Sequence, residues 1–108
     1  MKTFKNIKQA HNYFNFPGSY RQGAITNNKN VIRIYSNTKL GKDRVSKKKN
    51  SIYYKLKNDR IKEYFLNTKK NNKKVKVFYK NLEKNNVEYL GLFNVIGIRQ
   101  KEFVFLQK

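Results

Sequence analysis

The sequence of 108 residues contains no cysteine and no tryptophan, and it has one histidine, one proline and six acidic residues. Without cysteine there is no disulfide framework and no thiolate metal site, and His11 alone cannot build a zinc site. No segment approaches the ~20 apolar residues of a membrane span, and the N-terminal segment lacks the apolar run of a signal peptide. We therefore expect a soluble cytoplasmic protein, free or nucleoid-associated, in a cell or an infected cell, without a metal or other cofactor.

The charge is strongly one-sided, with 26 Lys and Arg residues against six Asp and Glu residues and a formal net charge of +20. An AT-rich gene would also raise the Lys and Asn content, but it would not explain why acidic residues stay rare. A field of this size concentrates polyanions at the surface, and phosphate contacts release counterions. Nucleic acid is therefore the expected partner, ahead of an anionic membrane surface, and no small-molecule substrate is expected.

The apolar fraction of 38% is low for a globular domain, and low hydrophobicity with high charge also typifies disorder. Eight Phe and eight Tyr residues supply large apolar surfaces, which favours a folded chain. The length fits one domain. We expect residues 1–108 to form a single domain, with an N-terminal helix within 1–16 and a sheet core within 17–108.

Two segments show the apolar spacing of a helix. The first, residues 4–14, should end before Pro17, because the residue ahead of a proline avoids helical backbone. His11 lies on its apolar face, and we interpret it as a packed residue rather than a catalytic one. The second segment, residues 58–69, has Asn58 as a candidate N-cap and three inward-facing residues, namely Ile61, Tyr64 and Phe65.

Five segments predict strands by their β-branched and aromatic content or by alternation. They are residues 31–36, 51–56, 74–80, 87–98 and 101–107. Gly91 and Gly97 interrupt the fourth strand and predict bulges or a close backbone approach. Residues 17–30 are interpreted as a turn-rich loop and residues 37–50 as a mobile loop. The pattern predicts an α+β fold with a curled, mostly antiparallel sheet or open barrel of about five strands and two short helices.

Three groups of residues suit contacts with nucleic acid. Arg and Gln side chains can read base edges and Tyr can stack on a base, which singles out the glycine-flanked group Tyr20, Arg21 and Gln22. Two basic clusters suit phosphate contacts. The first basic cluster is Lys42, Arg44, Lys47, Lys48 and Lys49, and the second basic cluster is Lys69, Lys70, Lys73 and Lys74. A glycine-bounded turn and solvated loops are the alternative interpretation. Tyr53 and Tyr54 are neighbours on a strand, so one should face the core and the other could face a ligand.

The order of these features resembles the SRA/YDG family, a module of the PUA-like superfamily found in chromatin proteins and modification-dependent restriction enzymes. The segments that carry the resemblance are GSYRQGAITNN, VIRIYS, DRVSKKKNSIYYKLKNDR, YFLN, KVKVFYK and VEYLGLFNV. The last two, with their separation, match the strand patterns of the restriction-associated branch best. The resemblance spans roughly residues 17–106.

The resemblance implies a PUA-like fold that binds duplex DNA, with a flipped or modified base stacked between aromatic rings. It also implies Tyr54 and Asp59 as base-pocket residues, with Tyr20 and Arg21 contributing from the first loop, and a homodimer or a larger restriction-type assembly as the setting. The chain departs from the family after Tyr54, where Lys55–Asn58 replace the glycine-containing Tyr-x-Gly-x-Gly loop.

A non-catalytic DNA-binding module is the leading hypothesis. An RNA-binding protein of the same fold is the second, since the PUA-like group also contains RNA binders. A small metal-dependent nuclease is the third, because Asp59 and Glu63 share a helix face. Their basic neighbours Arg60 and Lys62 favour an ordinary solvated, salt-bridged surface over a metal site. A virus-encoded factor that engages an acidic protein surface is the fourth.

Overall fold

The structure is a computed structural model and describes residues 2–14, 24–27, 31–36, 43–56, 58–81 and 83–108. These ranges contain eight strands and two helices. The strands are β1 (Lys2–Phe4), β2 (Ala24–Asn27), β3 (Val31–Ser36), β4 (Arg44–Val45), β5 (Ser51–Lys55), β6 (Lys74–Asn81), β7 (Asn86–Arg99) and β8 (Phe103–Gln107). The helices are α1 (Ile7–Tyr13) and α2 (Asp59–Lys70).

All eight strands belong to one curled sheet, in the order β2-β3-β6-β7-β8-β5-β4, with β1 paired to β7 beside this path. Neighbouring strands are antiparallel except β3 and β6, which run parallel. The prediction of an α+β fold with a curled, mostly antiparallel sheet and two helices is confirmed. The five predicted strands correspond to β3, β5, β6, β7 and β8.

Three short strands lie where the sequence predicted other structure. β1 overlaps the predicted helix 4–14 only at Phe4, β2 lies in the predicted loop 17–30, and β4 lies in the predicted mobile loop 37–50. Strands of two to four residues are too short to show an alternating pattern, so their partner strands specify them.

The segment from β4 to β5 is a hairpin, which corrects the prediction of a mobile loop for its described residues. The side-chain Oγ of Ser46 accepts hydrogen bonds from the backbone N–H groups of Asn50 at 3.1 Å and Ser51 at 3.2 Å. The backbone N–H of Lys49 donates to the Ser46 carbonyl at 2.9 Å. These bonds satisfy the polar backbone of the turn and give it one conformation.

Both helices begin at an asparagine cap. Asn58 Oδ1 accepts a hydrogen bond from the Ile61 N–H at 2.9 Å, which confirms the predicted cap of α2. Asn6 Oδ1 does the same for the Gln9 N–H at 2.9 Å, so α1 starts later than predicted. Phe65 of α2 is fully buried against the sheet, which contributes about 1.5–3 kcal/mol relative to an exposed ring. Neither described helix is long and apolar enough to cross a membrane.

β7 is 14 residues long and contains two bulges. Opposite β6 the unpaired extra residue is Leu90, next to Gly91, and opposite β8 it is Ile96, next to Gly97. Gly91 has a φ of 105°, a conformation that side-chain-bearing residues rarely adopt. The predicted bulges at both glycines are confirmed, and each one bends the strand and increases its twist.

The sheet buries residues on both faces. Its inner face packs on α2 and forms the main core, which is made of Ile52, Tyr54, Phe65, Val75, Val77, Leu90, Phe93, Val95, Val104 and Leu106. On the outer face, α1 covers a smaller core made of Phe4, Ala10, Phe78 and Val87. His11 of α1 is buried there, as its predicted packing role requires.

Tyr53 and Phe105 alternate with residues of the main core along β5 and β8, so their side chains lie on the outer face. Neither residue belongs to the smaller core under α1. The outer face is therefore divided into two parts. α1 covers one part, and the other part, formed by β4, β5, β8 and the end of β7, leaves Tyr53 exposed.

Replacement of Gly91 by alanine tests the first bulge. We expect the free energy of unfolding to fall by about 1–2 kcal/mol, because a φ of 105° is unfavourable for alanine. The new methyl group would also lie 3.2 Å from Cε of Lys108. Urea denaturation followed by circular dichroism measures the change.

Gly97→Ala is the matched control for this experiment. Its φ lies outside the left-handed region, and the nearest atom to the new methyl group is the mobile end of Arg99, at 3.0 Å. The side chain can move aside, so the loss of stability should be smaller. Equal losses for the two variants would show that the conformation of Gly91 is not what requires glycine.

Candidate nucleic-acid interface

Four strands each contribute one residue to a row across the outer face. Arg44 of β4 pairs with Tyr53 of β5, and Phe105 of β8 lies between Tyr53 and Gly97 of β7. The rings of Tyr53 and Phe105 stack, with centroids 4.7 Å apart and planes 18° apart. We refer to Arg44, Tyr53, Phe105 and Gly97 as the aromatic row.

Arg99 folds back across this row from the end of β7. Its guanidinium lies 5.7 Å from the centre of the Phe105 ring, within the range of a cation–π contact. Nη1 donates a hydrogen bond to the Ile98 carbonyl at 3.2 Å. The same Nη1 lies 3.0 Å from the position that a Cβ on Gly97 would take. Because Gly97 has no side chain, the guanidinium of Arg99 can occupy the space above it.

A hollow of about 330 Å³ opens above the row. Two guanidinium groups, one amide and two aromatic rings line it, contributed by Arg44, Arg99, Gln100, Tyr53 and Phe103. The Tyr53 side chain is 37% exposed. The volume falls at the lower end of small-ligand sites, about 300–1,000 Å³, and flat rings beside forked donors suit a planar group that carries acceptors or negative charge.

The turn from β7 to β8 holds Gln100 at the rim of the hollow. Gln100 and Lys101 have φ values of 55° and 62°, in the left-handed region, which costs about 1–2 kcal/mol for each residue. The Glu102 N–H donates to the Arg99 carbonyl at 3.2 Å and closes the turn. Glu102 also forms an ion pair with Lys55 of the neighbouring strand, at 3.2 Å. These contacts hold the strained turn in place.

The second basic cluster reaches the same part of the molecule. Lys69 and Lys70 occupy the last turn of α2, where positive charge also complements the helix dipole. Lys69 Nζ lies 3.9 Å from the Cβ position on Gly97 that Arg99 Nη1 approaches. Two cations therefore approach the same position at the β7 end of the row, and no ion pair among the described residues neutralises either of them.

The predicted site residues are placed in three ways. Tyr20, Arg21, Gln22 and Lys42 lie outside the described residues. Several predicted cations are exposed: Arg44 in the row, Lys47 and Lys48 in the β4–β5 turn, Lys69 and Lys70 at the end of α2, and Lys74 at the start of β6. Lys73 precedes β6 and is half-buried.

Lys49 of the first basic cluster makes its contacts within the protein. Its Nζ forms an ion pair with Glu88 Oε1 at 2.7 Å, and it lies 5.3 Å from the centre of the Tyr79 ring. Asn81 donates a second hydrogen bond to Glu88, at 3.0 Å. Lys49, which the sequence predicted as a phosphate contact, is therefore engaged with a buried carboxylate in this structure.

The pKa of Glu88 reflects two opposed effects. Burial alone would raise it, because burial penalises the charged form. The hydrogen bonds from Lys49 and Asn81, together with the charges of Lys49 and Lys84, outweigh burial and hold the pKa below its ordinary value. Glu88 is therefore ionised in the folded protein at neutral pH.

The two base-pocket residues implied by the resemblance do not share a hollow. Tyr54 is 3% exposed within the main core, and burial, with the nearby charge of Asp43, raises the pKa of its phenol. Asp59 is exposed at the start of α2 and lines a separate hollow of about 180 Å³ with Lys55, Lys62 and Lys101 among others. The Tyr54 ring could stack on a base only if the core opened. Its neighbour Tyr53 is the member of the pair that faces outward.

Besides Tyr53, which the sequence left open against Tyr54, four side chains of this interface were not among the predicted site residues: Arg99, Gln100, Phe103 and Phe105. The alternation of KEFVFLQ carries a usable signal, because both faces of this strand bear large apolar residues. One face belongs to the core, so the other presents Phe103 and Phe105 outward. The position of Arg99 has no such signal, since it depends on the space at Gly97.

Comparisons with protein-family models, with curated proteins and with solved structures find nothing that matches the chain. The SRA/YDG resemblance therefore stays a prediction. The described ranges include every His, Asp and Glu residue of the sequence, and no three of these side chains come together there as metal ligands.

Substitution of Glu88 by glutamine tests the internal role of Lys49. Because the folded-state pKa of Glu88 is lowered, its contribution to stability is complete above the unfolded value of about 4.5 and is lost as pH falls through the folded value. Glu88→Gln should lower the free energy of unfolding at neutral pH by about 1–3 kcal/mol. The free energy of unfolding of this variant should also fall less than that of the wild type as the pH is lowered into the acid range.

Urea titrations at several pH values between neutral and acid measure both effects. Glu83→Gln is the matched control, because Glu83 is exposed and makes no ion pair with another described residue. An acid dependence that is the same in the Glu88→Gln variant and the wild type would contradict the assigned pKa direction.

Proposed function

We propose that the protein is a non-catalytic module that binds nucleic acid, with DNA as the primary target, through phosphate contacts at the aromatic row, Arg99 and the exposed lysines of the two basic clusters. The observation that carries this proposal is that two cations, Lys69 and Arg99, approach the same position at Gly97, at the edge of the aromatic row. Neighbouring like charges repel, and a phosphate between them would relieve the repulsion.

The balance of ion pairs supports the same function. All six carboxylates lie in the described ranges, and two ion pairs form among the described residues, Lys49–Glu88 and Lys55–Glu102. The exposed cations Arg44, Lys47 and Lys48 of one hairpin are thus left without an acidic partner there. A surface of this kind draws polyanions by long-range attraction and holds them by counterion release.

DNA is preferred over RNA because of the SRA/YDG resemblance, and the fold alone does not distinguish the two polymers. A nuclease finds less support, because Asp59 and Glu63 are exposed and are not joined by a third ligand within the described ranges. Competition among duplex DNA, single-stranded DNA and structured RNA at equal salt decides the polymer. A preference for RNA would replace DNA in the proposal.

The salt dependence of binding tests the proposed phosphate contacts. If the wild type neutralises even ~6 phosphates, its affinity for DNA should fall about a thousandfold between 50 and 200 mM salt. The double variant Lys69→Gln/Lys70→Gln should bind more weakly and show a shallower slope of log affinity against log salt, by about 0.9 for each lost contact. Fluorescence anisotropy with a labelled oligonucleotide measures both quantities.

The matched control is Lys5→Gln/Lys8→Gln, which removes the same charge from exposed residues outside the aromatic row and both basic clusters. Its slope should equal that of the wild type. A flat salt response of the wild type would overturn the proposed function, and equal slopes for the two double variants would remove Lys69 and Lys70 from the interface.

A further inference from the structure

We propose that the hollow above the aromatic row takes one unpaired nucleotide of a single-stranded nucleic acid, with its base stacked on Tyr53 and its phosphate between Arg99 and Lys69. This inference rests on the proposed function and deepens it. It assigns the interface to a single strand, in which bases are accessible, rather than to a duplex, in which they are stacked inside the helix.

The stacking surface is already in place in the free protein. The Tyr53 ring is supported from beneath by the sheet and from one side by the stacked Phe105 ring. Arg99 in turn lies over Phe105. Because the ring is held by its neighbours, little conformational freedom is lost when a base stacks on its exposed surface. Aromatic side chains on a sheet, bordered by basic residues, are a common means of holding single strands.

Groups that can meet the edges of a base surround the same hollow. Gln100 offers an amide with a donor and an acceptor, and Arg44 offers a planar fork of donors. Both side chains can hydrogen bond to the acceptors that every base carries. The ring of Phe103 completes the lining and keeps water from one side. The hollow thus has an apolar surface for the base and polar groups at its edges.

The charges specify a nucleotide rather than an uncharged planar ligand. Arg99 and Lys69 meet beside Gly97, at the β7 end of the row, and Arg44 lies at the β4 end. A strand that crosses the row would therefore meet a cation on each side of the stacked base. A polyanion without bases, such as an acidic peptide, would satisfy the cations and leave the Tyr53 ring without a stacking partner.

The test separates bases from phosphates. The probes are a labelled oligothymidine and a strand of equal length that has the same phosphates and no bases. The wild type should bind the oligothymidine more tightly than the abasic strand. Stacking of a base on an aromatic residue corresponds to about a five- to 150-fold difference in affinity. Duplex DNA of the same length, offered at the same salt concentration, should bind more weakly than the single strand.

Substitutions at Tyr53 assign the difference to one ring. Tyr53→Leu keeps an apolar side chain but removes the ring, and it should lower affinity for oligothymidine about fivefold or more while leaving the abasic strand unaffected. Tyr53→Phe keeps the ring and should retain the affinity of the wild type. Tyr13→Leu is the matched control, since Tyr13 is an exposed tyrosine on α1 outside the row.

The outcomes distinguish this inference from the function on which it rests. If the wild type binds neither the two strands nor the duplex with a steep salt dependence, the proposed function fails. If it binds both strands equally and with a steep salt dependence, phosphate binding stands and base stacking is overturned. The comparison of the two strands uses the wild type alone, so it remains decisive even if Tyr53→Leu fails to fold. Displacement of the labelled oligothymidine by polyglutamate as effectively as by unlabelled oligothymidine of equal charge would also overturn the stacking.

Discussion

The two bulges of β7 are the constraint on which both cores and the aromatic row depend. Side chains alternate strictly along a regular strand, so residues an odd number of positions apart face opposite sides. Leu90 and Phe93 lie an odd number of positions apart, and so do Val95 and Ile98. All four nevertheless belong to the main core or pack against it. Each bulge resets the alternation between them. One strand can therefore cover α2 along its length while it pairs in turn with β1, β6 and β8.

The parts of the fold that the sequence predicted are those with a local cause. An alternating run sets β6, an asparagine three residues before Ile61 sets the start of α2, and two glycines mark the bulges. The sequence did not decide which of Tyr53 and Tyr54 faces outward, because that depends on which face of the sheet α2 covers. The ion pair of Lys49 with Glu88 and the approach of Lys69 to Arg99 join distant segments, and no local pattern encodes them.

The shortage of acidic residues acts differently inside and outside the protein. Inside, the buried carboxylate of Glu88 holds the β4–β5 turn against the start of β7 through Lys49. Outside, few carboxylates remain to balance the cations, so the folded state carries strong self-repulsion. A polyanion that binds only the folded chain relieves this repulsion and shifts the folding equilibrium toward the native state. Binding of a polyanion and the stability of the fold are thus coupled through the repulsion between the surface cations.

The parallel pairing of β3 with β6 has a consequence for the order of assembly. Strands β6, β7 and β8 follow one another through short turns, so they can meet soon after the chain begins to collapse. The β3–β6 register joins residues such as Ile32 and Val75, which lie far apart in the chain with two strands and α2 between them. Non-local pairings of this kind raise the contact order and slow folding. We therefore expect the C-terminal meander, which supplies Arg99 and Phe105, to form before β2 and β3 join the sheet.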